Sequence, residues 1–393
     1  MSYSDANLVR MHNSRTNVAV MTAPSTIVFA PDSFKGSASA RQAASAMARG
    51  WASVRPLDTL VLKPMADGGE GTLDAFESAV PGSTRMPVRV TGPDDRPVDA
   101  SWLLLADGTG VIELASTSGI TLLNELRPDD AHSRGFGQAI VSALDFGVRR
   151  VVLAIGGSSS TDGGAGVLEE LGARFLDASG RPVRAGNRGL HHLSTTEFHA
   201  VRPLPPGGVD VLCDVTNPLL GADGAAAVYG PQKGAATAEA VHALERGLAT
   251  LARSVSRAGP VAHPDADPTH PGAGAAGGVG FGLLVWGARL VPGSTGVAEI
   301  CELPAAIASC DVVVTGEGSF DSQSAAGKAV SAVLAAASVG ATRVDLVAGR
   351  ISAPTVQFAD ALSLSVLAGS AEAAQVDAER WLEVAGAALA ERF

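Results

Sequence analysis

Short apolar runs that break off into loops rich in glycine and carboxylates, each followed by helix-forming sequence, recur along this chain and leave it little choice of architecture. The run at 27–30 stops at Pro31-Asp32, and helix formers occupy 39–51. A second run at 59–62 leads into Lys63-Pro64-Met65-Ala66-Asp67-Gly68-Gly69-Glu70-Gly71. Strand, helix and strand in that order form a βαβ unit, which requires parallel pairing and a right-handed crossover. The alternation returns late in the chain. Helices are predicted near 279–290, 297–308 and 328–338, with strands at 311–315, 344–348 and near 363–367.

Between these ends the texture changes. Strand-like runs at 88–90, 102–105 and 110–114 are joined by turn sequences at 92–95 and 107–108, which is antiparallel or mixed-sheet character. A helix at 136–147, a strand at 151–155, a helix near 165–173 and a strand at 209–213 follow, and 258–278 has linker composition. At 393 residues the chain exceeds what one core usually supports. The predicted fold is therefore α/β with two domains. Residues 26–66 and 280–393 form a discontinuous Rossmann-like parallel-sheet domain, 67–279 an inserted mixed-sheet α/β domain, and 1–25 a tail.

Composition removes several functions. A net charge of −11 argues against a nucleic-acid surface, which needs clustered cations, yet leaves room for a small anionic substrate held locally. Three widely spaced cysteines make neither a disulfide framework nor a CxxC metal site, so a reducing, cytoplasmic setting is expected. No apolar run reaches the length of a membrane span, and the first 20 residues carry no secretory pattern. Aromatics are only 4%, so the core must be built from Ala, Val, Leu and Ile.

Of the 29 lysines and arginines only four are lysine: Lys35, Lys63, Lys233 and Lys328. Nucleotide bias explains the arginine excess, but a compact, rotatable ammonium is kept where chemistry requires it. All four sit in or beside glycine-rich loops. The segment Ile155-Gly156-Gly157-Ser158-Ser159-Ser160-Thr161-Asp162-Gly163-Gly164 lies between a strand and a helix, a setting in which backbone amides and a helix N-terminus hold oxyanions. Helix capping alone would need one such polar residue, not five. Asp67 and Glu70 read equally as metal or proton-accepting groups and as a helix cap. Gly272-Ala273-Gly274-Ala275-Ala276-Gly277 fits a dinucleotide fingerprint only in spelling, since it follows His270-Pro271 rather than a strand. A P-loop is also missing, because Ser322 stands where its first glycine is needed. No zinc spacing exists among the eight histidines.

The chain resembles the bacterial glycerate kinase family. The resemblance rests on APDSFKGS (30–37), ADGGEGT (66–72), ELASTSG (113–119), HSRGFG (132–137), IGGSSSTDGGAG (155–166), CDVTNPLLG (213–221), GPQKGA (230–235), PGAGAAGG (271–278) and TGEGSFDSQSAAGK (315–328), in the family's order from about residue 27 onward. Local departures are Phe136, where a small or hydroxyl residue is usual, and Arg350, where serine is common.

The resemblance implies ATP and Mg²⁺, D-glycerate as the small-molecule partner, and 2-phosphoglycerate as the usual product. It implies neither a nucleic-acid nor a membrane partner and leaves homodimerisation open. On this reading Asp214, Glu317 and Asp321 hold Mg²⁺ directly or through water, while Lys35 and Lys328 neutralise phosphate. Gly156, Gly157, Ser158, Ser159 and Ser160 bind the nucleotide phosphates through backbone amides. Asp32, Ser33, Ser116 and Arg134 bind substrate, Arg134 as a fork for the carboxylate. Asp67 or Asp162 orients or deprotonates the attacking hydroxyl. The alternatives are a kinase of the same fold that makes 3-phosphoglycerate or acts on another small hydroxy acid or polyol, and a non-catalytic binding protein.

Overall fold

The computed structural model describes residues 23–34, 36–258, 266–321 and 329–393. Lys35, Lys328 and residues 1–22 of the expected tail lie outside the described residues. Thirteen strands are described. In chain order they are β1 Thr26–Pro31, β2 Thr59–Leu62, β3 Thr84–Thr91, β4 Pro97–Leu104, β5 Thr109–Glu113, β6 Arg150–Ala154 and β7 Arg174–Leu176. Then come β8 Thr195–Glu197, β9 Val209–Leu212, β10 Arg289–Val291, β11 Val312–Phe320, β12 Arg343–Ile351 and β13 Asp360–Ser363.

Two larger sheets result. The first has five parallel strands in the order β13-β12-β11-β1-β2 and joins the two chain ends. The second has six, β10-β9-β6-β5-β4-β3, parallel from β10 to β5 and antiparallel through β4 and β3. The parallel ends around a mixed middle are the architecture expected. The turn at 92–95 closes through the Gly92 amide on the Arg96 carbonyl, 2.7 Å. Strands β7 and β8 form a small hairpin-like pair.

Period-2 side-chain alternation explains the layering. On β1, Ile27 and Phe29 face one cluster with Met47 and Trp51 of helix Ala40–Val54 and Leu382 and Leu389 of helix Ala378–Arg392. Val28 and Ala30 face the other way, into a cluster that also contains Leu103, Val111, Val152, Ala154 and Leu212 of the second sheet. The two sheets are thus joined by one continuous apolar seam, with helices Thr72–Ala79, Gly293–Ile300 and Ala329–Gly340 in it. Burying each such Leu, Ile or Phe is worth roughly 1.5–3 kcal/mol. The far face of the second sheet packs Ile112, Leu153 and Val211 into a third cluster.

Three elements differ from the sequence reading. Strand β10 pairs with β9, so sheet membership changes after Val291 rather than at 280. Strand β11 runs on through Gly316-Glu317-Gly318-Ser319-Phe320, a stretch read as loop, because β12 keeps pairing with it to Ile351. The run at 363–367 is not a strand. Its strand ends at Ser363, where pairing with β12 stops, and Leu364–Ala368 is helical.

Candidate active site

The loops after β1, β2, β5, β6 and β9 all leave the C-terminal ends of parallel strands, where open α/β sheets bind ligands. They enclose two adjoining cavities. The larger, ≈ 790 Å³, is lined by Asp32, Ser33, Asp67, Glu70, Glu113 and Ser116 among others. The smaller, ≈ 380 Å³, is lined by Ser158, Cys213, Asp214, Tyr229, Gln232 and Lys233, with apolar Ile120, Ile155 and Val215. Asp67, Gly69, Gly156 and Gly157 border both.

Glycine brings the loops together. The Gly156 amide donates to the Gly68 carbonyl at 2.9 Å, and a Cβ on Gly156 would stand 2.6 Å from the Gly69 Cα. The Ser159 amide and hydroxyl both donate to the Ser118 carbonyl, at 3.1 and 2.7 Å. Two of the five loop amides, those of Gly156 and Ser159, thus bond to backbone carbonyls of neighbouring loops. Ser159 and Ser160 are buried, and of the five loop residues only Gly156, Gly157 and Ser158 reach a cavity.

The candidate bases separate cleanly. Asp67 lies where the cavities meet, its Oδ1 accepting from the Gly69 amide at 3.1 Å. Asp162 is fully buried and borders neither cavity. It accepts from the Ser133 amide (2.9 Å) and hydroxyl (2.8 Å), the Ser160 hydroxyl (3.1 Å) and the amides of Gly164 (3.2 Å) and Gly166 (3.3 Å). Such saturation makes it a knot between loops rather than a group open to substrate.

Arg134 lines neither cavity. It opens helix Arg134–Phe146, and its Nε donates to Glu170 at 2.8 Å with Glu169 at 3.7 Å, away from both cavities. Asp32, Ser33 and Ser116 do line the larger cavity.

The three carboxylates expected to hold Mg²⁺ do not form one set. Asp214 lines the smaller cavity and accepts from the Gly293 amide at 2.7 Å, while Glu317 and Asp321 belong to β11 and its end in the other sheet and line neither cavity. No group of three His, Cys, Asp or Glu able to hold a metal occurs among the described residues. Burial, with Asp67 nearby, pushes the Asp214 carboxyl above its ordinary range.

Three side chains stand out that the expected site omitted. Burial pushes the Glu113 carboxyl up to about 7, against the lowering effect of the Leu73, Thr72 and Gly71 amides it accepts. Burial likewise pushes the Lys233 ammonium down to about 7. Tyr229 donates to Asn217 Oδ1 at 2.6 Å on the wall of the smaller cavity. Sequence marked Lys233 among the four lysines and left Glu113 unremarked within the motif at 113–119, and spacing carries no sign of burial. Lys63, the fourth lysine counted, has a structural use, donating to the Ala79 carbonyl at 3.1 Å.

The glycerate kinase family model matches residues 27–393. The chain is similar to the glycerate 2-kinase of Escherichia coli K12, 40% identical over 307 residues, 77% of this chain and 79% of that one. It is equally similar to the glycerate kinase of Bacillus subtilis 168, 40% identical over 334 residues, 83% and 85% of the two chains. Its fold matches a crystal structure of a protein assigned as glycerate kinase 2 from Salmonella typhimurium LT2, with a TM-score of 0.82 at 35% identity over 94% of this chain and 98% of that one.

Proposed function

We propose that this chain, which belongs to the glycerate kinase family, transfers the γ-phosphoryl group of ATP to the 2-hydroxyl of D-glycerate, releasing ADP and 2-phosphoglycerate. The observation that supports a transfer site is the position of Asp67 on the border of two cavities, one wall away from Asp214 and Lys233 and another from Asp32, Ser33 and Glu113. Two reactants held on either side of that carboxylate meet beside it.

Phosphoryl transfer asks the protein chiefly for positioning and charge neutralisation. The acceptor hydroxyl oxygen forms a bond to the γ-phosphorus as the bond to the β–γ bridging oxygen breaks, and ADP leaves with that oxygen. Asp67 accepts the hydroxyl proton, a role that Asp162 cannot fill with its oxygens occupied. The joined backbones of the loops after β2 and β6 keep Asp67 in place. Mg²⁺ belongs to this reading as the partner of the nucleotide phosphates. The expected trio of carboxylates does not fit one ion, and no step is routed through it.

The test is ADP release from ATP, Mg²⁺ and D-glycerate, with glycerol and hydroxypyruvate as controls. Enolase added to the product identifies the position, because only 2-phosphoglycerate yields phosphoenolpyruvate without a mutase. ADP release with no phosphoenolpyruvate would move the transfer to the 3-hydroxyl. No ADP with D-glycerate would overturn the reading.

A further inference from the structure

Lys233 ends the 3₁₀ turn Pro231–Lys233 and is 2% exposed, yet it forms part of the wall of the smaller cavity. Its ammonium donates to the Ser158 hydroxyl at 2.7 Å and to the Ser160 carbonyl at 2.5 Å. An ammonium carries three donors. Two are used, and no carboxylate among the described residues lies within ion-pair distance of the third. Asp162 favours the charge only from farther off, with its own oxygens taken by Ser133, Ser160, Gly164 and Gly166. A buried cation with no contacting anion is costly, and the charge becomes favourable only when an anion joins it.

The backbone opposite is shaped around this ammonium. Ala276, Gly277 and Gly278 are three consecutive left-handed residues, with φ of 56°, 71° and 89°, at the start of helix Ala275–Trp286. A Cβ on Gly277 would stand 2.0 Å from the Ser160 carbonyl oxygen and 2.8 Å from Lys233 Nζ, so only glycine lets this turn close over the lysine. Ala276 holds its strained φ on the cavity wall itself, where such strain most often accompanies a ligand site.

We propose that this cavity holds an oxyanion of the substrates, the carboxylate of the hydroxy acid or a phosphate of the nucleotide, with Lys233 as its counter-ion and the Ser158 hydroxyl as a second donor. The proposal rests on the kinase reading of the same site and adds a residue outside the expected set. Ser158 accepts from Lys233, so its own hydrogen is left to point at the ligand. The anion is drawn to Lys233 and away from the carboxylates Asp67 and Asp214, which line the same cavity.

The groups that face Lys233 are Asp162 behind it, the Ala276–Gly278 turn above it, and Asp67, Cys213, Asp214 and Tyr229 around the cavity. Burial holds the Cys213 thiol and the Tyr229 phenol above their usual ranges, so neither competes for the proton at pH 8.

The experiment is calorimetric titration of the full chain with D-glycerate alone and with ATP alone, for wild type and Lys233→Met. The expected result is a loss of tenfold or more in affinity for one ligand and less than about twofold for the other, and the ligand affected identifies the anion. Wild type should also take up a proton on binding that ligand at pH 8, read as a dependence of the heat on the buffer's ionisation enthalpy. Lys233→Met should take up none, which a merely structural lysine would not predict. Equal affinity of both proteins for both ligands, or no proton uptake by wild type with either ligand, overturns the proposal; the second measurement stands even if the variant fails to fold. Turnover by wild type tests the kinase reading separately.

Discussion

The Gly156 amide and the Gly68 carbonyl, 2.9 Å apart, tie the loop after β6 to the loop after β2, and Asp67 rides on the second of these. Backbone packing between these two loops therefore helps to place the proposed catalytic carboxylate. Gly156→Ala should break that arrangement, since its Cβ would lie 2.6 Å from the Gly69 Cα. Overpacking of this kind costs about 1–3 kcal/mol, and a displacement near 1 Å at a reacting group costs about 10²-fold in rate. Steady-state kinetics with a thermal melt will check both. Wild-type turnover in a Gly156→Ala enzyme would show that the contact does not set the geometry.

The two aspartates expected to share one role should behave in opposite ways. Asp67→Asn should lower kcat by about 10² or more while leaving the melting temperature near wild type. Asp162→Ala should lower stability first, because it strands the Ser133, Ser160, Gly164 and Gly166 donors that the carboxylate satisfies. Leaving a buried donor unsatisfied costs about 1–3 kcal/mol. Urea unfolding of both variants beside their kinetics separates the roles.

Arg134 offers a negative test. Its guanidinium is committed to Glu170 and Glu169, outside both cavities. Arg134→Ala should leave KM for the acid substrate within about threefold and change stability by about 1 kcal/mol or less, as partly exposed ion pairs do. A KM raised by tenfold or more would restore the arginine to the substrate site.

What could be read in advance follows from what each signal reports. Alternating apolar runs and turn residues report local conformation, so the parallel ends and the mixed middle were legible before any coordinate. The end of β13 was not, because an edge strand of four residues, Asp360–Ser363, is defined by its pairing with β12 rather than by its own pattern. Glycine density in residues 155–166 marked a place where backbones come close, but not whether the neighbour is a phosphate or another loop. Here Gly156 meets Gly69. Arg134 reads as a carboxylate clamp from its fork of donors alone; its contact with Glu170, 36 positions away in sequence and 2.8 Å away in space, leaves no mark in the local pattern. The lysine count did single out Lys233, but not that its side chain is buried.

Glu113 and Lys233 should together give the fold a stability minimum near neutral pH. The Glu113 carboxyl rises from 4.5 to about 7 on folding, so between those values the folded state binds more protons and stability falls as pH rises. The Lys233 ammonium falls from 10.5 to about 7, so between 7 and 10.5 the unfolded state binds more protons and stability rises with pH. Each limb amounts to a few kcal/mol at most on the scale of about 1.4 kcal/mol per pH unit. Urea unfolding across pH 5–10 should show the trough in wild type. Glu113→Gln should flatten the acid limb alone, and Lys233→Met the alkaline limb alone. A saturating anionic ligand that pairs with Lys233 should raise stability most on the acid side of pH 7, where the ammonium is fully formed, and progressively less above it. A wild-type profile that rises steadily from pH 5 to 7 would mean that Glu113 keeps an ordinary carboxylate pKa in the fold.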